Sequence, residues 1–167
     1  TIGGSGSEYL TSSDCTSDGG LIVGGYSSSG ISGNKNEPHL GNSDYWVVKL
    51  DAIGNITWQN TIGGTGTENL YDVQQTSDGG YILGGASGST NNYDRIEPTM
   101  GIYDYWVINL TSFGAIQWQN AIGGSQSDYL KSVSQTSDGG FILGGTSNSG
   151  ISGDKTNAQI GGDDYWI

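Results

Sequence analysis

The chain is short of cysteine, proline and positive charge. It has one cysteine, Cys15, two prolines and five cationic residues among 167. A single cysteine excludes an intrachain disulfide and every Cys-x-x-Cys metal motif. Two prolines exclude a collagen-like reading of its 31 glycines, because the triple helix needs Pro-rich Gly-X-Y triplets. Five Lys and Arg against 17 Asp and Glu leave a net charge of −12. Such a surface repels a phosphate backbone and an anionic bilayer, so neither nucleic acid nor membrane insertion is expected. No apolar run approaches the roughly 18 residues of a membrane span, and no leader peptide is visible.

Long helices are also excluded by composition, since each interior glycine costs about 1 kcal/mol relative to alanine. Aromatic residues, at 10% of the chain, are plentiful. A Gly-rich, aromatic-rich chain of this kind is expected to be all-β.

A sixty-residue repeat organises the sequence. Thr1-Ile2-Gly3-Gly4 returns at 61–64 and, as Ala121-Ile122-Gly123-Gly124, at 121–124. Thr16-Ser17-Asp18-Gly19-Gly20 returns at 76–80 and 136–140. Asp44-Tyr45-Trp46 returns at 104–106 and 164–166, and Trp58-Gln59-Asn60 at 118–120. Self-similarity at a fixed period marks a repeat architecture. The repeats span 1–60, 61–120 and, incompletely, 121–167.

Each repeat reads as four strands. In the second copy strand a is 69–75, strand b 81–85, strand c 105–110 and strand d 116–122. Ser77-Asp78-Gly79-Gly80 is a tight turn, because Asp-Gly and Gly-Gly supply the positive φ that hairpins require. Strands b and c are apolar on both faces and so are covered on both. Strand d keeps one polar face and belongs near an edge. Four-stranded antiparallel units with two buried middle strands suit the blades of a β-propeller, and the Gly pairs of strand b let neighbouring blades approach closely. A β-solenoid is the alternative.

The blade order resembles kelch-type propellers, with Gly84-Gly85 as the double glycine and Asp104-Tyr105-Trp106 and Trp118 as the later aromatics. Thr76-Ser77-Asp78-Gly79-Gly80 resembles a degenerate Asp-box. Across the whole chain, the segments 135–145, 151–156 and 164–167 are similar to tandem repeats of large secreted Bacteroidota proteins, as is Ser32-Gly33-Asn34-Lys35. Those proteins commonly carry a sorting domain for type IX secretion, so the resemblance implies a secreted or cell-surface location. Two departures stand out. Ser12-Ser13-Asp14-Cys15 replaces Asp72-Val73-Gln74-Gln75, which weakens the first strand a, and Asn91-Asn92-Tyr93-Asp94 replaces the Ile-Ser-Gly loop.

Three repeats are too few to close a ring, which takes about four to eight blades. Neighbouring repeats or other chains are therefore expected partners. The a–b and c–d turns fall on one rim. The long loops 26–43, 86–103 and 146–163 fall on the other, and there the copies differ most. Binding groups usually occupy such loops. The second loop has the richest chemistry, and its candidate ligand-binding residues are Tyr93, Asp94, Arg95, Glu97 and Tyr103. Tyr26, Tyr93 and Tyr103 are loop tyrosines that do not repeat and would stack on a sugar ring.

Asp18, Asp78 and Asp138 are expected to accept hydrogen bonds within their own turns. Each turn offers one carboxylate, whereas Ca²⁺ takes about six to eight oxygens. No cofactor is expected, and calcium is the alternative where Glu37 or Glu97 joins the aspartates entering strand c, Asp44, Asp104 and Asp164. Glu8, Glu68 and Asp128 hold the start of strand a and are expected in solvent or bonded to a neighbouring blade, with a place at the channel mouth as the alternative. His39 is the only histidine, so no Ser-His-Asp triad recurs between copies. The expected role is non-catalytic, a binding or display scaffold of adhesin type directed at a surface glycan or another protein. A structural array or filament protein and a carbohydrate-active hydrolase or lyase are the alternatives.

Overall fold

A computed structural model describes residues 1–167. It is built from strands alone, in three antiparallel sheets that follow the chain order. The first sheet comprises β1 (Glu8–Cys15), β2 (Leu21–Ser27), β3 (Asp44–Leu50) and β4 (Ile56–Ile62). The second comprises β5 (Glu68–Gln75), β6 (Tyr81–Ser87), β7 (Asp104–Leu110) and β8 (Ile116–Ile122). The third holds β9 (Asp128–Gln135), β10 (Phe141–Ser147) and the three-residue β11 (Asp164–Trp166). Every strand pairs with its sequence neighbour, up and down.

The middle sheet is buried on both sides because its two central strands alternate between two cores. Tyr81, Leu83, Trp106, Ile108 and Leu110 meet Ile22, Tyr45, Val47 and Ile62 of the first sheet. Ile82, Tyr105 and Val107 meet Leu130 and Val133 of the third. Side chains of one strand point alternately to opposite faces, so one stretch such as 105–108 serves both cores. Glycine allows the close approach. A Cβ on Gly24 would lie 2.6 Å from Leu70, and one on Gly84 would lie 2.8 Å from Leu130.

The two junctions repeat one design. Tyr45 hydroxyl donates to Trp106 O at 3.2 Å and Tyr105 hydroxyl to Trp166 O at 3.1 Å. Along the edge formed by β1, β5 and β9, aspartates tie the sheets together. Gln75 N–H donates to Asp14 Oδ2 and Val133 N–H to Asp72 Oδ2, both at 2.9 Å. The polar segment Ser12-Ser13-Asp14-Cys15 still forms β1 at the full length of β5 and β9, eight residues. Its loss is local, with Ser13 exposed where Val73 and Val133 are buried.

A β-bulge interrupts the first hairpin of every sheet at one repeat position. The ladder runs from Leu10 to Ser12, Leu70 to Asp72 and Leu130 to Ser132, which leaves Thr11, Tyr71 and Lys131 unpaired.

Candidate functional site

The tight turns are built on their aspartates. In the second copy Thr76 N–H donates to Gly80 O and Gly79 N–H to Thr76 O, both at 2.9 Å, with Gly79 at φ 86°. Gly80 N–H and Thr76 Oγ1 then donate to Asp78 Oδ1, at 3.1 and 2.5 Å. Asp18 and Asp138 accept the corresponding bonds from Gly20 and Gly140. These bonds, from the threonine first and then the glycine, hold the Asp78 and Asp138 carboxyls below their ordinary value. Asp18 adds an ion pair with Lys49 at 2.8 Å, and that bond is the main cause of its own lowered value.

The long connections, 28–43, 88–103 and 148–163, are built around cations. Lys35, Arg95 and Lys155 occupy one repeat position and are 1%, 0% and 4% exposed. Lys35 Nζ donates to Glu37 O at 2.8 Å and to Thr61 Oγ1 at 2.6 Å. Arg95 donates to Glu97 O, Ser87 O and Pro98 O and pairs with Asp104 Oδ2 at 3.1 Å. Lys155 Nζ donates to Ser149 O at 2.8 Å and Ser147 Oγ at 3.1 Å. A charge removed from water needs such a complete set of partners. Burial pulls the Lys35 ammonium down from its ordinary value, against the opposing field of Asp44, Glu37 and Glu8.

The cation beside Asp104 is the chain's own Arg95. Glu68 and Asp128 are fully buried, not in solvent, and each bonds to the preceding repeat, Glu68 N–H to Ser43 O at 2.8 Å and Asp128 N–H to Tyr103 O at 2.7 Å. Glu68 accepts from Ser89 Oγ at 2.6 Å, Gly64 N–H at 2.8 Å and Ser87 Oγ at 3.0 Å. Burial raises its carboxyl above the ordinary value, with the neighbouring Asp44 adding to the shift. Asp128 accepts from Gly124 N–H at 2.7 Å and Ser149 Oγ at 3.0 Å. No group of three or more His, Cys, Asp or Glu is arranged to hold a metal ion.

The five candidate residues of the second loop divide into two kinds. Arg95 is enclosed and presents nothing to a ligand. Glu97 Oε2 accepts from Ala121 N–H at 2.6 Å, which ties the loop to β8 of its own sheet, and Asp94 Oδ2 accepts from Gly63 N–H at 3.1 Å, which ties it to the residue just after β4. Burial raises the Asp94 carboxyl. Tyr93 and Tyr103 remain accessible. Tyr93, 65% exposed, is the one non-glycine residue with positive φ, 50°, and takes the place of Gly33 (58°) and Gly153 (55°). Tyr103 packs against Tyr129, ring centres 5.3 Å apart and 30° from parallel. Tyr26 stacks on Tyr9 at 4.9 Å.

The buried cation left a signal in the sequence. Three of the chain's five Lys and Arg share one repeat position, in loops where other positions vary. No protein-family model matches the chain, and no curated protein matches it.

Proposed function

We propose that the stacked sheets are successive blades of a β-propeller of kelch type. On this reading the chain is part of a non-catalytic, secreted or cell-surface scaffold that binds or displays through its long-loop edge. Up-and-down pairing within each sheet supports blades over a solenoid. The resemblance to secreted Bacteroidota repeats supports the location.

One observation carries the binding role. All three long connections rest on the same buried cation platform, while their outer residues differ between copies. A rigid base with a free crest is how binding loops are usually carried. The repeated carboxylates favour a scaffold over a hydrolase, because Glu68, Glu97, Asp94 and Asp104 are already bonded to backbone N–H groups or to Arg95.

The structural-array reading is favoured by the outer sheet faces. Leu10, Ile142 and Tyr165 are 71%, 55% and 91% exposed, yet their repeat equivalents Leu70, Ile82 and Tyr105 are buried. Leu10, Val23, Trp46 and Val48 line a recess of about 350 Å³ on the outer face of the first sheet. Sedimentation at rising concentration tests for head-to-tail stacking.

The scaffold reading is tested by retaining oligosaccharides and purified surface proteins on the immobilised chain while assaying reducing ends. Retention without new reducing ends is expected. Transplanting residues 28–43 over 88–103 should lower retention, and Phe113→Ala in a short turn should not. Turnover of any glycan overturns the non-catalytic role, and the reverse ranking of the two variants overturns the choice of edge.

A further inference from the structure

The three β-bulges point to a site that the loops alone do not define. A bulge re-aims its unpaired side chain, and bulges concentrate next to functional sites. Here the unpaired residues are Thr11, Tyr71 and Lys131, one per sheet. They reach toward neighbouring sheets along the β1–β5–β9 edge. Thr11 Oγ1 donates to Leu70 O at 2.8 Å, and Lys131 Nζ lies 3.4 Å from the centre of the Tyr71 ring. Lys131 also lies 5.2 Å from the Tyr129 ring, and Tyr129 makes a tilted contact with Tyr103 at 5.3 Å. Tyr9 and Tyr26 form a stacked pair, 4.9 Å apart and 24° from parallel. Burial raises the Tyr26 hydroxyl, with Tyr71 and Tyr9 adding to the shift, and raises the Tyr71 hydroxyl, with Tyr103 adding. Tyr9 and Tyr26 share one ladder row with Tyr45, which packs against Trp106, so this pair faces the second sheet, which carries Tyr71.

These residues are what the repeat does not repeat. The positions read Tyr9, Asn69, Tyr129; Thr11, Tyr71, Lys131; Tyr26, Ala86, Thr146; and Ser43, Tyr103, Asp163. Between them, Leu10, Leu70 and Leu130 are identical, as are Gly25, Gly85 and Gly145 and Asp44, Asp104 and Asp164. Packing fixes the second set. The first set varies freely on one shared surface, and in these three copies it supplies five tyrosines and a lysine. Lys131 takes part in neither ion pair of the chain, so its ammonium donors are free for a ligand.

We propose that Tyr9, Tyr26, Tyr71, Tyr103, Tyr129 and Lys131 form a binding site for an uncharged oligosaccharide. Tyrosine rings present flat apolar faces to the C–H face of a pyranose, with hydroxyls at the rim for its hydroxyl groups. Asn69 and Lys131 supply further polar groups at the same edge, as orientation in a sugar site requires. Nucleobases also stack on aromatic rows, but the phosphates that follow them meet a chain of net charge −12. The site rests on the scaffold reading and gives it a ligand class, with Tyr103 shared by loop and band.

The test uses substitutions that another copy already carries, so the fold accommodates them: Tyr71→Thr, as at Thr11, and Tyr129→Asn, as at Asn69. Calorimetric titration with cellohexaose, maltohexaose, laminarihexaose and mannohexaose should give saturable binding to at least one. Each substitution should weaken that binding at least tenfold, and Phe113→Ala should leave it unchanged. Circular dichroism of the variants should match the parent. The proposal is overturned if none of the four sugars binds, if oligothymidylate binds and they do not, or if folded Tyr71→Thr and Tyr129→Asn both bind as the parent does. In the last case a loss on transplanting 28–43 over 88–103 would leave the loop edge standing. Loss with the strand tyrosines alone would keep the band and remove the loop edge.

Discussion

Replacing Tyr93 by glycine removes a Cβ from a backbone that has little room for one. At the equivalent Gly33 and Gly153, a Cβ would lie 2.3 Å from the carbonyl oxygen of Gly3 or Gly123. Tyr93 carries that atom at φ 50°, and the loop has moved to accept it. The bond from Asp94 N–H to Gly63 O is 3.1 Å, against 2.8 Å for Asn34 to Gly3 and for Asp154 to Gly123. A left-handed conformation costs a residue with a Cβ about 1–2 kcal/mol, and the extra freedom of glycine in the unfolded chain offsets about 0.5–1 kcal/mol of that. The Tyr93 ring is 65% exposed and contributes little packing. Tyr93→Gly should therefore stabilise the chain by nearly 1 kcal/mol, which raises Tm by about 2 °C at this size. Tyr93→Ala is the control, since it removes the ring and keeps the Cβ. It should stay within about 1 °C of the parent. Differential scanning calorimetry of the three proteins measures both shifts. If Tyr93→Gly melts below Tyr93→Ala, the Cβ is not what strains this loop.

Three further outcomes follow from the buried and turn charges. Arg95→Ala leaves the Asp104 carboxylate buried and unpaired and should destabilise by about 3–5 kcal/mol, whereas Arg95→Lys should stay within about 1 kcal/mol, because Lys35 and Lys155 fill the same position; urea unfolding separates the two. Asp78→Ala removes the acceptor for Gly80 N–H and Thr76 Oγ1 and should destabilise by about 1 kcal/mol at neutral pH. The folded Asp78 carboxyl lies below its ordinary 3.8, so the deficit should persist above that value and shrink as pH falls through the folded one; a deficit that grows in acid refutes the turn role. Glu68 has the opposite sign. Its folded carboxyl lies above 4.5, so its contribution is whole below pH 4.5 and is lost as pH rises through the folded value. The melting temperature of Glu68→Gln relative to the parent should rise between pH 4 and pH 7, and a constant difference would show that Glu68 does not titrate in the fold.

Much of the architecture was legible because it rests on local rules. Period-two alternation and Asp-Gly turns placed strands a to d in the second copy within three residues of β5 to β8. Doubly apolar strands marked the two central positions of the sheet, and the polar face of strand d marked its edge. Repetition then carried one reading to three sheets. Strand a of the first copy was read as weak from its polar residues, yet β1 forms in full, because its ladder to β2 and the bonds of Thr11 and Asp14 to β5 do not depend on apolar side chains.

By itself the sequence determined the strands, the turns, the repeat and the division into sheets. Each depends on residues a few places apart, or on identity at a fixed offset. Only the tertiary structure decided the fate of the charged and aromatic residues between them. Lysine and arginine are surface residues by default, and Arg95 looked like a ligand contact until Ser87, Glu97, Pro98 and Asp104 closed around it. The bulges came from the register of paired strands, and a shift of one residue decides which side chain leaves the ladder. Tyr71 and Lys131 lie sixty residues apart in the chain and meet because the same bulge aims both at one edge of the stack.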